Sequence, residues 1–242
     1  MIEARHLAKS FHGRPAVSDV SFDVGAGEIV GFLGANGAGK STILRLLAGC
    51  LQADRGTAAI AGHDIATARR QAQAHLGYLP EAVAGFANLT VLEFLTFAAE
   101  SRGYWGATRR VALARAIEAL DLGPATTMTL ASLSKGWRQR AWLAQAILHD
   151  PLVLILDEPT DGLDPGQKMH LRGFLRTLAQ GKAILMSTHI LEEAEQLCDR
   201  LIIISRGAVV ADRPRAALTD DDGRLVGAFA RLTDAQLERP AR

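Results

Sequence analysis

The chain has 242 residues, 48% of them hydrophobic and 22% charged, which excludes a disordered polypeptide and fits one large or two small buried cores. A formal net charge of +1 excludes a whole-molecule field for nucleic acid or an anionic membrane, leaving only local basic patches such as Arg138 and Arg140. No apolar run approaches the roughly 20 residues of a membrane-spanning helix, and the N-terminus lacks the pattern of a signal peptide. The expectation is a chain that stays in the cytosol and relies on another polypeptide for any membrane-spanning part. Cys50 and Cys198 sit in apolar stretches that read as helical and are expected as buried free thiols in a reducing compartment.

Residues 1–30 alternate in the manner of short strands, with Phe11 and a turn at Gly13-Arg14-Pro15 between them, and predict a small antiparallel sheet. Glu28-Ile29-Val30-Gly31-Phe32-Leu33 then reads as a strand, and 41–48 carries apolar residues at helical spacing. Between them lies Gly34-Ala35-Asn36-Gly37-Ala38-Gly39-Lys40-Ser41, which fits G-x-x-x-x-G-K-[ST] in the strand, turn, helix context that motif requires. Three glycines let backbone N–H groups turn inward, and the helix N-terminus adds partial positive charge, so phosphate oxygens are the natural guests. Gly34, Asn36, Gly37, Ala38, Gly39, Lys40, Ser41 and Thr42 are the candidate nucleotide-binding positions. Lys40 would reach the terminal phosphates, and the Ser41 hydroxyl would sit on a bridging Mg²⁺.

Residues 56–65 predict a further strand and tight turn in the antiparallel layer, with His63 in the turn. Leu76-Gly77-Tyr78-Leu79 is a short strand stopped by Pro80, which leaves Glu81 at a strand end. Thr90-Val91-Leu92-Glu93 has capping-box spacing and opens a helix reaching Ala99. A second helix is expected over 108–122, stopped by Gly123-Pro124. The helical block closes with Leu133-Ser134-Lys135-Gly136-Trp137-Arg138-Gln139-Arg140 and a helix presenting Trp142, Leu143, Ala146 and Ile147 on one face.

The all-apolar 152–156 fits a strand buried on both faces, and it delivers Asp157 and Glu158 at its C-terminal end. Asp164-Pro165 starts a helix that Gly181 ends; 183–187 is another buried strand, finishing at Thr188-His189. An acidic amphipathic helix over 191–198 and a strand over 201–204 follow. Strands alternating with helices predict an α/β fold with a parallel sheet covered on both faces. Past Pro214, through Asp220-Asp221-Asp222-Gly223, a small helical appendage is expected, with a loose end at 239–242.

In an open parallel sheet the phosphate loop, the Asp157-Glu158 pair and His189 all lie at the carboxyl edge, where ligands bind. Asp157 would hold Mg²⁺ through its water shell. Glu158 would orient or deprotonate the water that attacks a γ-phosphate, and His189 would touch that phosphate. Placing these charges is most of the catalysis.

Over roughly residues 1–212 these motifs resemble the nucleotide-binding subunit of an ABC transporter. Leu133-Ser134-Lys135-Gly136-Trp137 is similar to the family's LSGGQ signature, Asp161-Gly162-Leu163-Asp164 to its D-loop and His189 to its switch histidine, and Phe11 falls where the family stacks an aromatic on adenine. The resemblance implies a P-loop NTPase, RecA-like core with a parallel sheet, a small antiparallel layer, a helical subdomain inserted at about 84–150 and a small appendage at 213–242. It implies ATP and Mg²⁺ as ligands, with Glu158, His189 and Lys40 catalytic and Ser41, Glu81 and Asp157 near the metal. It further implies a head-to-tail dimer, with itself or a paralogous ATPase subunit, in which Ser134, Gly136 and Asp164 act in trans on the partner's nucleotide.

Four positions depart from the common pattern: Lys135 and Trp137 replace glycine and glutamine, Asp161 a small hydroxyl residue and Glu81 the Q-loop glutamine. Glu81 still offers a carboxylate near Mg²⁺. The tracts Gly77-Tyr78-Leu79-Pro80-Glu81 and Ser134-Lys135-Gly136-x-Arg138-Gln139-Arg140 are similar to those of ABC-2-type exporter ATPases. That implies export by a separate integral-membrane permease, whose coupling helix enters the groove beside the Glu81 loop, and a peripheral place on the inner face of the membrane. No nucleic-acid partner is expected. The second reading is a soluble ABC-type ATPase acting on ribosomes or nucleic acid; such proteins usually carry two fused ATP domains or long insertions, which these residues lack. A P-loop small-molecule kinase leaves 133–137 without a role.

Overall fold

The computed structural model describes residues 1–81, 85–220 and 222–234. Strands β1 (Ile2–Phe11) and β2 (Arg14–Val24) form an antiparallel hairpin in which Phe11 pairs with Arg14. Its turn is His12-Gly13, both at positive φ, rather than Gly13-Arg14-Pro15. Pro15 is already in β2, an edge strand, where a missing N–H is tolerated. Strand β3 (Ile29–Leu33) leads through the glycine loop into α1 (Lys40–Leu47). Strands β4 (Arg55–Ile60) and β5 (His63–Asp64) complete the antiparallel sheet in the order β2-β1-β4-β5. The turn between them is Ala61-Gly62, so His63 is a strand residue, and its ring stacks on His75 at 5.5 Å.

Helix α2 (Arg69–Ala74), which the apolar pattern does not announce, precedes β6 (Leu76–Leu79). Helix α3 (Val91–Ser101) opens on the expected capping box, with the Glu93 amide donating to Thr90 Oγ1 at 3.2 Å and the Thr90 amide to Glu93 Oε2 at 2.8 Å. Helix α4 (Gly106–Ala119) ends short of 122; Leu120 and Leu122 leave it yet stay buried, and Gly123–Ala125 is a 3₁₀ turn. Next come α5 (Lys135–Ile147), β7 (Val153–Asp157), α6 (Pro165–Leu178), β8 (Ala183–Thr188), α7 (Leu191–Leu197) and β9 (Arg200–Ser205). Strand β10 (Ala208–Pro214), unforeseen in sequence, turns back antiparallel on β9, and α8 (Val226–Asp234) is the helix expected beyond Pro214. Asp221 and the end at 239–242 lie outside the described residues.

The main sheet has the order β10-β9-β3-β8-β7-β6, parallel except for β10. Period-two alternation splits its side chains between two cores. Leu33, Leu154, Leu156, Met186 and Ile203 face the helical block, while Val30, Phe32, Ile155, Leu185 and Ile202 face α1 and the antiparallel sheet. Both faces being apolar explains the unbroken hydrophobic runs. Leu218 and Leu225, past Pro214, are buried in the first core. Cys198 is buried as expected, but Cys50 is exposed, because α1 ends at Leu47 and the chain turns outward at Gly49. Among the described residues no helix is long and apolar enough to cross a membrane.

Candidate nucleotide-binding and hydrolytic site

Strand β3 and helix α1 hold the glycine loop at the carboxyl edge of the sheet. Gly37 and Gly39 take φ of +79° and +107°, and a Cβ on Gly39 would lie 2.6 Å from the Ala16 carbonyl oxygen. The loop is clamped from behind by the β9–β10 turn, whose Gly207 amide donates to the Ala38 carbonyl at 2.8 Å while the Ser18 amide donates to the Gly207 carbonyl at 2.7 Å. Neither Ala16 nor Gly207 is signalled locally in sequence as part of the site. Helix α1 has no side-chain cap and no acidic residue in its first turn, so its N-terminal amides remain available to an anion.

Lys40 is buried at 6% exposure, with Nζ donating to the Gly34 carbonyl at 2.7 Å and the Ala35 carbonyl at 3.2 Å, and 4.0 Å from Glu158 Oε1. Burial pulls its pKa below the ordinary lysine value, an effect opposed by the carboxylates of Glu158, Asp157 and Glu81. Ser41 Oγ donates to Asp157 Oδ1 at 3.3 Å. Asp157 and Glu158 leave the end of β7, and Glu158 takes a left-handed φ of +49°, a strained turn for a residue with a side chain. His189, just past β8, bonds through Nδ1 to Glu158 Oε1 at 3.0 Å; with a carboxylate as acceptor, Nδ1 carries the proton. The loop, the carboxylate pair and the histidine thus converge as the pattern requires.

Ser187, absent from the sequence-derived set, joins them. Its hydroxyl donates to Asp157 Oδ1 at 2.5 Å and accepts from the Glu158 amide at 3.0 Å. Its signal is a serine at a fully buried position directly after four apolar residues of β8. Glu193 is also unforeseen: buried, it accepts from Thr160 Oγ1, Thr188 Oγ1 at 2.9 Å and Lys168 Nζ at 2.7 Å, binding the segments after Glu158 and before His189 together.

Among the described residues Asp157 Oδ2 is buried without a hydrogen-bond partner, although Oδ1 has two. An orphaned carboxylate oxygen beside a serine hydroxyl fits the donor set of a hard divalent cation. Among the described residues no three His, Cys, Asp or Glu gather to hold a metal by themselves. That suits Mg²⁺, which keeps waters and phosphate oxygens as ligands. Glu81, exposed after β6, is close enough to raise the proton affinity of Lys40.

Phe11 is 44% exposed at the hairpin tip, with Lys9 Nζ 5.9 Å from its ring centre. Among the described residues no hydrogen bond joins Ser134, Gly136 or Asp164 to the glycine loop. Ser134 is exposed and caps α5, its oxygen accepting from the Trp137 amide at 3.4 Å. Asp164 caps α6, accepting from the Gln167 amide at 2.9 Å, and Gly136 is buried against Gln167.

A model of the family described as ABC transporter matches residues 17–161. The Nod factor export ATP-binding protein I of Bradyrhizobium diazoefficiens is 38% identical over 220 residues, 89% of this chain and 71% of that protein. The solved ATP-binding subunit of an ABC transporter superposes with a TM-score of 0.86 at 30% identity, covering 96% of this chain and 99% of the other. MJ0796, a bacterial ABC transporter cassette solved as a dimer, shares the fold with a TM-score of 0.81 at 23% identity over 88% of this chain and 98% of its own.

Proposed function

The chain belongs to the ABC transporter family as an ATP-binding subunit, and on that premise we propose that two such subunits sandwich ATP head to tail and hydrolyse it to drive export through a separate membrane permease. The observation that carries this reading is the convergence of Lys40, Ser41, Asp157, Glu158 and His189 on one edge of the sheet. Lys40 and the amides of Gly34, Asn36, Gly37, Ala38, Gly39, Ser41 and Thr42 hold the phosphates, and Phe11 covers the base. Ser41, Asp157 and Glu81 are the residues that would hold Mg²⁺, directly or through water, and the ion would supply positive charge to offset that of the phosphates. Glu158 orients the attacking water and takes its proton, and the Nδ1–H of His189 holds that carboxylate in place. Ser134, Gly136 and Asp164 serve the partner's nucleotide.

Residues 1–212 form the ATPase unit, with 84–150 as its helical part and 213–242 as an appendage. A groove of 950 Å³, walled by Tyr78, Pro80, Arg102, Tyr104, Trp142 and His149, lies just before Glu81 and between that strand end and the helical block. It is where a cytoplasmic helix of the permease docks, which puts this subunit on the inner face of the membrane.

Glu158→Gln tests the reading: it should bind ATP, turn over orders of magnitude more slowly and run as a dimer with ATP and Mg²⁺ present. A variant that stays monomeric at concentrations where the related cassettes pair overturns the sandwich. Co-purification with ribosomes or DNA, and with no multispan protein from detergent extracts, overturns the transport assignment.

A further inference from the structure

Two of the positions that depart from the family's common pattern touch each other. Lys135 Nζ in the signature lies 2.7 Å from Asp161 Oδ2 in the D-loop of the same subunit. The lysine stem lies across Gly162, where a Cβ would be 2.3 Å from Lys135 Cδ. One helical turn further along α5, Gln139 Nε2 donates to the Pro159 carbonyl at 3.2 Å in the buried interior. Positions 135 and 139 share a helix face, so α5 grips the segment after Glu158 at two points, one buried and one exposed. The exposed grip is joined to the backbone of Glu158, since the Asp161 amide donates to the Glu158 carbonyl at 3.1 Å.

A lysine in the first turn of a helix opposes the helix dipole, and a half-exposed ion pair adds little to stability. Neither property explains the pair as a stabilising device. Asp161 is held below the usual carboxylate range chiefly by its hydrogen bond to Lys135. An exposed, exchangeable contact between the α5 N-terminus and the backbone that carries Glu158 is suited to passing a small displacement from one to the other.

Resting on the sandwich reading, we infer that Lys135 and Asp161 are positioning residues that link the two ATP sites of the dimer. Engagement of the partner's nucleotide at Ser134 moves the α5 N-terminus, and the Lys135–Asp161 contact carries that movement to the turn that sets Glu158 of the same subunit. The pair touches no reacting atom; it acts through Glu158.

The test is a double-mutant cycle in the full chain with Lys135→Met, Asp161→Asn and the two combined, read as steady-state ATPase activity. Each single variant should lower kcat by roughly three- to tenfold, leave KM for ATP within about twofold and reduce the Hill coefficient, on the scale of coupling between contacting residues. The double variant should lose no more than either single. Lys135→Arg and Asp161→Glu should recover most of kcat, and added salt should slow the wild type toward the single variants. Additive losses, or unchanged kcat in both singles with melting temperature alone affected, overturn the inference. Glu158→Gln is run alongside: if it dimerises with ATP while the cycle is additive, the linkage falls and the sandwich stands; if it stays monomeric, both fall.

Discussion

Ser187 and Asp157 face each other across the β7–β8 ladder, in register, with the serine hydroxyl 2.5 Å from the carboxylate. That hydroxyl also accepts from the Glu158 amide at 3.0 Å, so one buried group aims the carboxylate assigned to the metal and the turn that presents the glutamate proposed as the base.

Ser187→Ala is therefore expected to leave two buried polar groups short of a partner. Such losses cost about 1–3 kcal/mol, so the urea midpoint should fall with its slope unchanged. The Mg²⁺ concentration that half-activates ATP hydrolysis should rise as well; an unchanged Mg²⁺ titration would count against the orienting role of Ser187.

Lys40→Ala should weaken ATP binding itself. Hydrogen bonds to charged groups are worth about 1.5–3 kcal/mol, which is roughly one to two decades in Kd. Titration of a fluorescent ATP analogue measures it, and undiminished affinity rules out the role given to this lysine.

The two left-handed glycines of the loop should respond differently. A methyl group on Gly37 would have no atom of the described residues within 4 Å, so Gly37→Ala meets only backbone strain, about 1–2 kcal/mol. Gly39→Ala adds a collision with the Ala16 carbonyl at 2.6 Å. It should cost more stability than Gly37→Ala and abolish ATP binding; equal urea midpoints for the two would contradict the close packing of β2 on the loop.

Burial pushes His149 down to about 3 from its ordinary 6.5, while its Nε2 bonds to the Leu76 carbonyl at 3.0 Å. In the unfolded chain this histidine protonates near its ordinary value, so the unfolded state binds the extra proton first. Stability is then fully present above about pH 6.5 and declines as pH falls toward 3, with a slope of at most about 1.4 kcal/mol per pH unit. His149→Gln should flatten the fall of unfolding free energy between pH 6.5 and 4.5, above the carboxylate range. An identical slope in the variant would show that the ring is not held neutral.

Much of the fold was legible because its signals are local. The apolar runs that became β3, β7, β8 and β9, the Thr90 capping box and the Asp164-Pro165 start each depend on a few neighbouring residues. The elements that escaped lack such a signal. Helix α2 buries only Ala72, and β10 is an edge strand of half-buried residues that pairs only because β9 is there to receive it. Cys50 reads as buried from its apolar neighbours, but the turn at Gly49 puts it outside.

Sequence alone determined the phosphate loop, the carboxylate pair and the histidine, since spacing and backbone preference confine each to a short stretch. Only the tertiary structure decided that Ser187 aims Asp157, that Gly207 and Ala16 clamp the loop, and that Lys135 meets Asp161. Those meetings depend on strand order, register and helix packing, which bring together residues tens of positions apart that no local pattern can pair.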